Sequence, residues 1–201
     1  GGRHGPHRRD PDQSPHPVDR FLAEKIRERG LTLAGESDPH SLVRRLSFVL
    51  RGLPPSPEEV HAFADSARRD LEKAVADFTA RWIGQPSFGE HFARHWMDVT
   101  RFAETHGSEN DEILPEAWQY RDYVIRAFNA DVPYDQFVRE HLAGDLLPNP
   151  RLHNGRNESV IGTAFWRFTE FNHSPVDVKR EEGAIVENQI DAIGKAFQGI
   201  T

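Results

Sequence analysis

An all-α fold is predicted for this 201-residue chain, as a single multi-helix domain of about eight to nine helices behind a disordered N-terminal tail. Three observations predict it. Apolar residues recur at three- and four-residue intervals in one segment after another. Pro, Gly, Asp and Ser stand where such segments would begin and end. Nothing alternates with period two for long enough to make a strand. The length suits one domain, and a globular part of about 180 residues buries roughly 70% of its unfolded surface.

Residues 1–17 hold prolines, glycines and histidines but no large apolar side chain, so they have nothing to bury and read as a tail or linker. The histidines there have no fixed geometry for a metal. The helical domain then spans 18–201. Val18, Phe21, Leu22 and Ile26 make a short amphipathic helix that stops at Gly30. Asp38 before Pro39 is a start signal, and Leu42, Val43, Leu46, Val49 and Leu50 form the stripe that follows, up to Gly52. After the stiff Leu53-Pro54-Pro55 connector, Ser56 and Glu59 make a capping box for a helix to about Ala64. Leu71, Val75, Phe78 and Trp82 are a fourth stripe, closed at Gly84.

The chain is organised around Ser87–Gly107. Ser87 can cap a helix with Glu90 completing the box, and Phe88, Phe92, Trp96, Val99 and Ala103 fall on one arc. His95 and Phe102 sit at the edge of that arc, while Arg94, Arg101 and Glu104 point away. An acidic stretch, Ser108–Glu112, reads as a solvated loop. Pro115 opens an interior helix with Trp118, Ile125 and Phe128 on one strip and Tyr120, Tyr123 and Val124 on another. Arg121 projects near the first strip and needs a carboxylate, with Asp98 and Glu104 as candidates. Tyr134, Phe137, Val138 and Leu142 carry a helix to Gly144, and 145–156 reads as a loop. Asn157 and Glu158 start a helix through Val160, Ile161, Phe165 and Trp166, broken over 171–175. Val186, Ile190, Ile193 and Phe197 line a seam on the last helix.

Composition excludes several functions. A net charge of −7 argues against a nucleic-acid platform, and the arginine pairs lie within helical patterns as solvated faces. With no cysteine, disulfides, thiolate metal sites and covalent haem attachment are excluded within the chain. No run approaches a membrane span and no N-terminal stretch resembles a signal peptide, which leaves a cytosolic protein or one whose targeting segment was removed. The nucleophile-elbow, phosphate-loop and dinucleotide motifs are absent.

Two constellations remain. His91 and His95, four apart on a helix with Asp98 three further on, have spacing that can place their side chains on one metal. The competing reading makes His95 a partly buried core residue and His91 a surface one, and the pattern favours it. Glu104, Asp111 and Glu112, or Glu170, Asp177 and Glu181, would need to face each other across a cleft to do acid–base work.

Four segments in order, LVRRLSFVLRGLPPSPEEV, FGEHFARHWMDVTRFAETHG, AWQYRDYVIRAFNADVPYDQFVREHLAGDLLP and NQIDAIGKAFQGIT, resemble the planctomycete cytochrome-c-associated domain, the second of two domains so named and a domain of unknown function. The resemblance implies a part of a large exported, extracytoplasmic protein, joined to cytochrome-c-like and other domains of the same parent. It also implies that the helix matching 185–198 leads to a Cys-x-x-Cys-His haem-attachment motif. This chain stops at Gly199-Ile200-Thr201, so haem c is implied for a longer parent and no cofactor is expected within these residues. The first reading is therefore a helical scaffold module supporting electron transfer without catalysis of its own, with His95, Trp96 and Arg121 in the surroundings of the haem segment. It expects neither nucleic acid nor membrane insertion. The alternatives are an extracytoplasmic enzyme domain acting on polysaccharide through an acidic cleft, and a metal- or partner-binding module using His91, His95 and Asp98.

Overall fold

The computed structural model describes residues 16–32, 35, 37–107, 111–170 and 175–200. Residues 1–15 of the expected tail, most of the acidic loop (108–110) and most of the expected break (171–174) lie outside the described residues, and the tail's last residue, Pro17, instead opens the first helix. Nine α-helices occur among the described residues: α1 Pro17–Glu28, α2 Pro39–Arg51, α3 Pro57–Ala67, α4 Leu71–Ile83, α5 Pro86–Val99, α6 Ala117–Asn129, α7 Tyr134–Ala143, α8 Ser159–Gly162 and α9 Val178–Ile193. The all-α class holds. A two-residue hairpin, β1 Leu152–His153 and β2 Arg156–Asn157, lies inside the stretch read as a loop. Asn154 and Gly155 between the strands both have positive φ, 50° and 76°, as a tight two-residue hairpin turn requires.

The expected start signals of α2 and α3 work as read. The Asp38 carboxylate accepts the His40 and Ser41 backbone N–H groups, and Gly52 closes α2 in the left-handed conformation at φ 68°. The Ser56–Glu59 capping box forms in both directions. Glu59 has a second use: it also receives Arg51 at 2.8 Å and the Trp82 indole N–H at 2.9 Å. Burial alone would raise its carboxyl, but these donors and the Ser56 N–H hold it at about 2. The three-helix unit α2–α4 is thereby clamped around Val43, Phe63, Ala74, Phe78 and Trp82.

The central helix departs from its expectation in three ways. It begins at Pro86 with Gln85 as N-cap and no side-chain capping bond, so Ser87 and Glu90 make no box. It ends at Val99, because Arg101 turns left-handed at φ 58° and the Thr100 hydroxyl donates back to the Trp96 carbonyl at 3.2 Å. The Arg101 guanidinium is held there by Asn188 and Asp191 of α9. The buried line is also rotated from the aromatic arc: Gly89, Ala93 and Thr100 are buried, Phe88, Phe92 and Trp96 half-buried, and Val99 exposed. Close approach to α6 is the reason. A Cβ on Gly89 would stand 2.5 Å from the Asn129 side chain, whose Oδ1 accepts the Gly89 N–H at 2.9 Å. Small residues take the contact and the rings splay to its flanks.

The same rotation recurs elsewhere. In α2 the buried pair is Val43 and Ser47, with Val49 exposed. In α7 the buried residues are Phe137, Glu140 and His141, with Tyr134 and Leu142 exposed. On α9 the expected seam splits: Ala192 is buried and Ile193 and Phe197 pack inward, but Val186 and Ile190 face outward at 51% and 63% exposure. The helix expected from 157 shortens to α8 and continues as a 3₁₀ turn over Thr163–Arg167. In α1, only Ala23 is buried, and Val18, Phe21 and Leu22 are exposed. The core therefore has two parts, with α5 packed on α2 on one side and on α6 on the other. The larger part gathers Ala93, Tyr120, Tyr123, Val124, Phe137, Phe165 and Phe168.

Candidate functional site

The larger core contains groups that polarity alone would have placed outside. Phe137, Glu140, His141 and Gly144 follow the 0, 3, 4, 7 spacing of a buried helical face, so α7 turns a carboxylate and an imidazole into the protein. Both are fully buried. The Glu140 carboxylate accepts the Tyr123 hydroxyl at 2.7 Å, Gln136 at 3.1 Å, the Ser159 hydroxyl at 3.0 Å, and Arg151 through Nε at 3.1 Å and Nη2 at 2.9 Å. Arg151 reaches onward through Nη1 to Glu158 at 3.2 Å, and Glu158 is forked by Arg126 at 2.6 and 3.2 Å. The result is an alternating row, Arg126–Glu158–Arg151–Glu140, with no net charge. Burial pushes the Glu140 carboxyl up, but Arg151, Tyr123 and Gln136 outweigh it and hold it below the ordinary value. Its lone pairs are engaged by internal donors, which suits a structural anion better than a base awaiting a proton.

His141 sits beside this row in an aromatic box. Its Nδ1 lies 2.8 Å from the Phe137 carbonyl oxygen, which can only accept, so Nδ1 carries the proton and Nε2 the lone pair. Toward Nε2 come the Tyr120 hydroxyl at 2.9 Å and the Trp96 indole N–H at 3.1 Å. A second proton on Nε2 would meet that indole N–H head-on. Burial lowers the His141 pKa to about 4, despite opposing contributions from the Phe137 carbonyl and Glu140. Folded His141 thus stays neutral down to about pH 4, whereas its unfolded value is 6.5. Between the two the unfolded chain binds more protons, so stability falls as pH drops through that window, by about 3 kcal/mol in full. Urea unfolding across the window should show this loss, and His141→Gln should remove it. An unchanged slope in that variant would assign the proton to another group.

In front of Trp96 lies an open cleft of about 480 Å³ between α5, α6 and the turn into α7. Phe88, Phe92, Phe128 and Phe137 line it, with Asp131 and Tyr134 also in its wall. Trp96 is shared: it lines the cleft, and its ring packs 5.3 Å from His141 and 5.6 Å from Phe197, which seats the C-terminal turn against it.

Against this geometry, the model of the PSCyt2 family, described as a protein of unknown function (DUF1549), matches residues 17–201. The chain belongs to that family. No curated protein and no solved structure matches the chain.

Within this PSCyt2 fold, the sequence-derived candidates divide. His91 and His95 do face each other on α5, ring centroids 4.9 Å apart, but their burial is opposite to the favoured reading. His91 is half-buried against Gly52, with its pKa lowered by burial and by His95, and His95 is exposed. Asp98 is exposed as well. Among the described residues no group of three or more His, Asp or Glu side chains is arranged to hold a metal ion. Arg121 finds Glu104, at 3.5 Å, rather than Asp98, and adds its neighbour Asp122 at 3.0 Å. Of the acids proposed for a cleft, Glu104 is therefore paired, Asp111 accepts the Gly107 N–H, and Asp177 caps α9. With no cysteine in the chain, thioether attachment of haem does not fit these residues. No helix among the described residues is long and apolar enough to cross a membrane.

Proposed function

We propose that this PSCyt2 domain is a helical scaffold module of an exported, haem-c-containing multidomain protein, supporting electron transfer by holding a haem-bearing neighbour and carrying no catalysis of its own. The observation that carries the reading is the outward apolar face of α9. Val186 and Ile190 stand one turn apart and exposed, on the helix that the family resemblance places just before a haem-attachment motif. The inward side of the same helix is anchored by Arg101 to Asn188 and Asp191, and the turn that follows it by Phe197 to Trp96, so the open face is held at a fixed angle. The buried charges support it too, since Glu140 and Glu158 are neutralised by arginines rather than aimed at a substrate. On this reading Trp96, the exposed His95 and the half-buried Arg121 contribute to the polar and aromatic surroundings of the neighbour.

The test is a longer parent polypeptide, expressed with its downstream segment under haem-maturation conditions. A Soret band should appear, and Val186→Asp with Ile190→Asp should loosen the haem segment to protease while leaving the helical circular dichroism unchanged. Absence of the band, or a haem segment whose protease resistance ignores both substitutions, would overturn the proposal.

A further inference from the structure

The cleft in front of Trp96 has a chemistry of its own, independent of any haem-bearing neighbour. Its wall is mostly ring: Phe88 and Phe92 with centroids 4.5 Å apart, Phe128 at 6.2 Å from Phe92, and Phe137 at 5.8 Å from Phe128, with Ala127, Val132 and Pro133 as its aliphatic members. Four of the lining rings are phenylalanines, without a polar atom. Trp96 has one, but its N–H is committed inward to Tyr120 and His141, so it offers the cleft ring surface only. Tyr134 is exposed, at 61%, and contributes a further ring at the mouth. The one charged side chain in the wall is Asp131, an exposed residue held in the left-handed region at φ 47°. Its carboxylate makes no hydrogen bond or ion pair with the described residues.

Such a wall selects by elimination. A sugar or a phosphate needs several directed donors, and the cleft supplies none beyond a tyrosine hydroxyl. An anion would face the Asp131 carboxylate. An apolar neutral molecule fits the rings but leaves the carboxylate without a role. A cation with an apolar shell satisfies both, since the ring faces carry negative electrostatic potential and a carboxylate stands at the rim. The volume, about 480 Å³, is that of a small-molecule site. We propose that this cleft binds a small organic cation of the quaternary-ammonium class, its methyl groups against Phe92, Trp96 and Phe128 and its charge offset by Asp131.

The test uses the chain as it stands. Choline and its uncharged carbon isostere, 3,3-dimethylbutan-1-ol, are titrated by calorimetry with tryptophan fluorescence as a second readout. Choline should bind saturably at millimolar concentration or below, and about tenfold or more tighter than the isostere. Asp131→Asn keeps a residue that tolerates positive φ and should weaken choline while leaving the isostere unchanged. Tyr134→Leu, at an exposed position, should weaken choline also. The proposal is overturned if choline shows no saturation, if the isostere binds as tightly, or if neither substitution alters the cation's affinity.

Discussion

Arg151→Met is expected to destabilise the fold by about 3–5 kcal/mol, the range for removing one partner of a buried ion pair. Arg151 is the hub of the row: it forks Glu140, which is wholly buried, and touches Glu158, which is 2% exposed. Without it Glu158 keeps Arg126, but Glu140 is left with the neutral donors Tyr123, Gln136 and Ser159. The pH dependence should invert with it. In the wild type the folded Glu140 pKa lies below its ordinary value of 4.5, so its stabilisation is present above 4.5 and is lost as pH falls through the folded value. Once the arginine is gone, burial dominates and the folded pKa rises above 4.5, so the variant loses stability as pH rises instead. The gap between variant and wild type should narrow on acidification. Adding Glu140→Gln to Arg151→Met should recover part of the loss, because the uncompensated charge is gone. A destabilisation below about 1 kcal/mol, the scale of an exposed pair, would mean that the row is solvated rather than buried.

Gly144→Ala should be nearly as damaging, by about 3 kcal/mol or more. Gly144 ends α7 against α8, and a Cβ there would fall inside the van der Waals shell of the Ser159 carbonyl oxygen and crowd the Glu140 carbonyl at 2.5 Å. Both are backbone atoms, so nothing flexible can give way. They also belong to residues of the buried row, so the strain falls on the Glu140–Ser159 hydrogen bond. Gly183 in α9 is the control. A Cβ there meets nothing within 4 Å, and alanine is the better helix former by about 0.5–1 kcal/mol. Thermal melts should therefore move in opposite directions for the two substitutions. Similar shifts for both would contradict the close α7–α8 contact.

How much of this was legible in the sequence follows from what each element is packed against. Helix starts driven by local chemistry, Asp38-Pro39 and the Ser56–Glu59 box, were readable because the side chain and its target lie within one turn. The burial faces were not, wherever contact is close. On α5 the largest residues suggested the centre of the face, but Gly89 and Ala93 occupy it because Asn129 comes too near for anything bigger. On α7 hydrophobicity pointed to Tyr134, Phe137, Val138 and Leu142, of which only Phe137 is buried. The buried face is Phe137, Glu140, His141, and its polar members are tolerable only because Arg151 and Tyr120, from other elements, arrive to meet them. The signal available was the 0, 3, 4, 7 spacing ending in glycine, which marks a close crossing. The Asn154-Gly155 pair likewise announced a hairpin inside a stretch read as loop. Arg121 was read correctly as needing a carboxylate, and the choice of Glu104 required the turn after α5 that Arg101 makes.

Hydrogen exchange on the parent polypeptide, with the haem attached and with it withheld, addresses the scaffold reading most directly. The expected result is slower exchange across Val178–Ile193 and around Trp96 when the haem segment is present, with α2–α4 unaffected. Equal exchange in α9 with and without an attached haem would contradict the scaffold role.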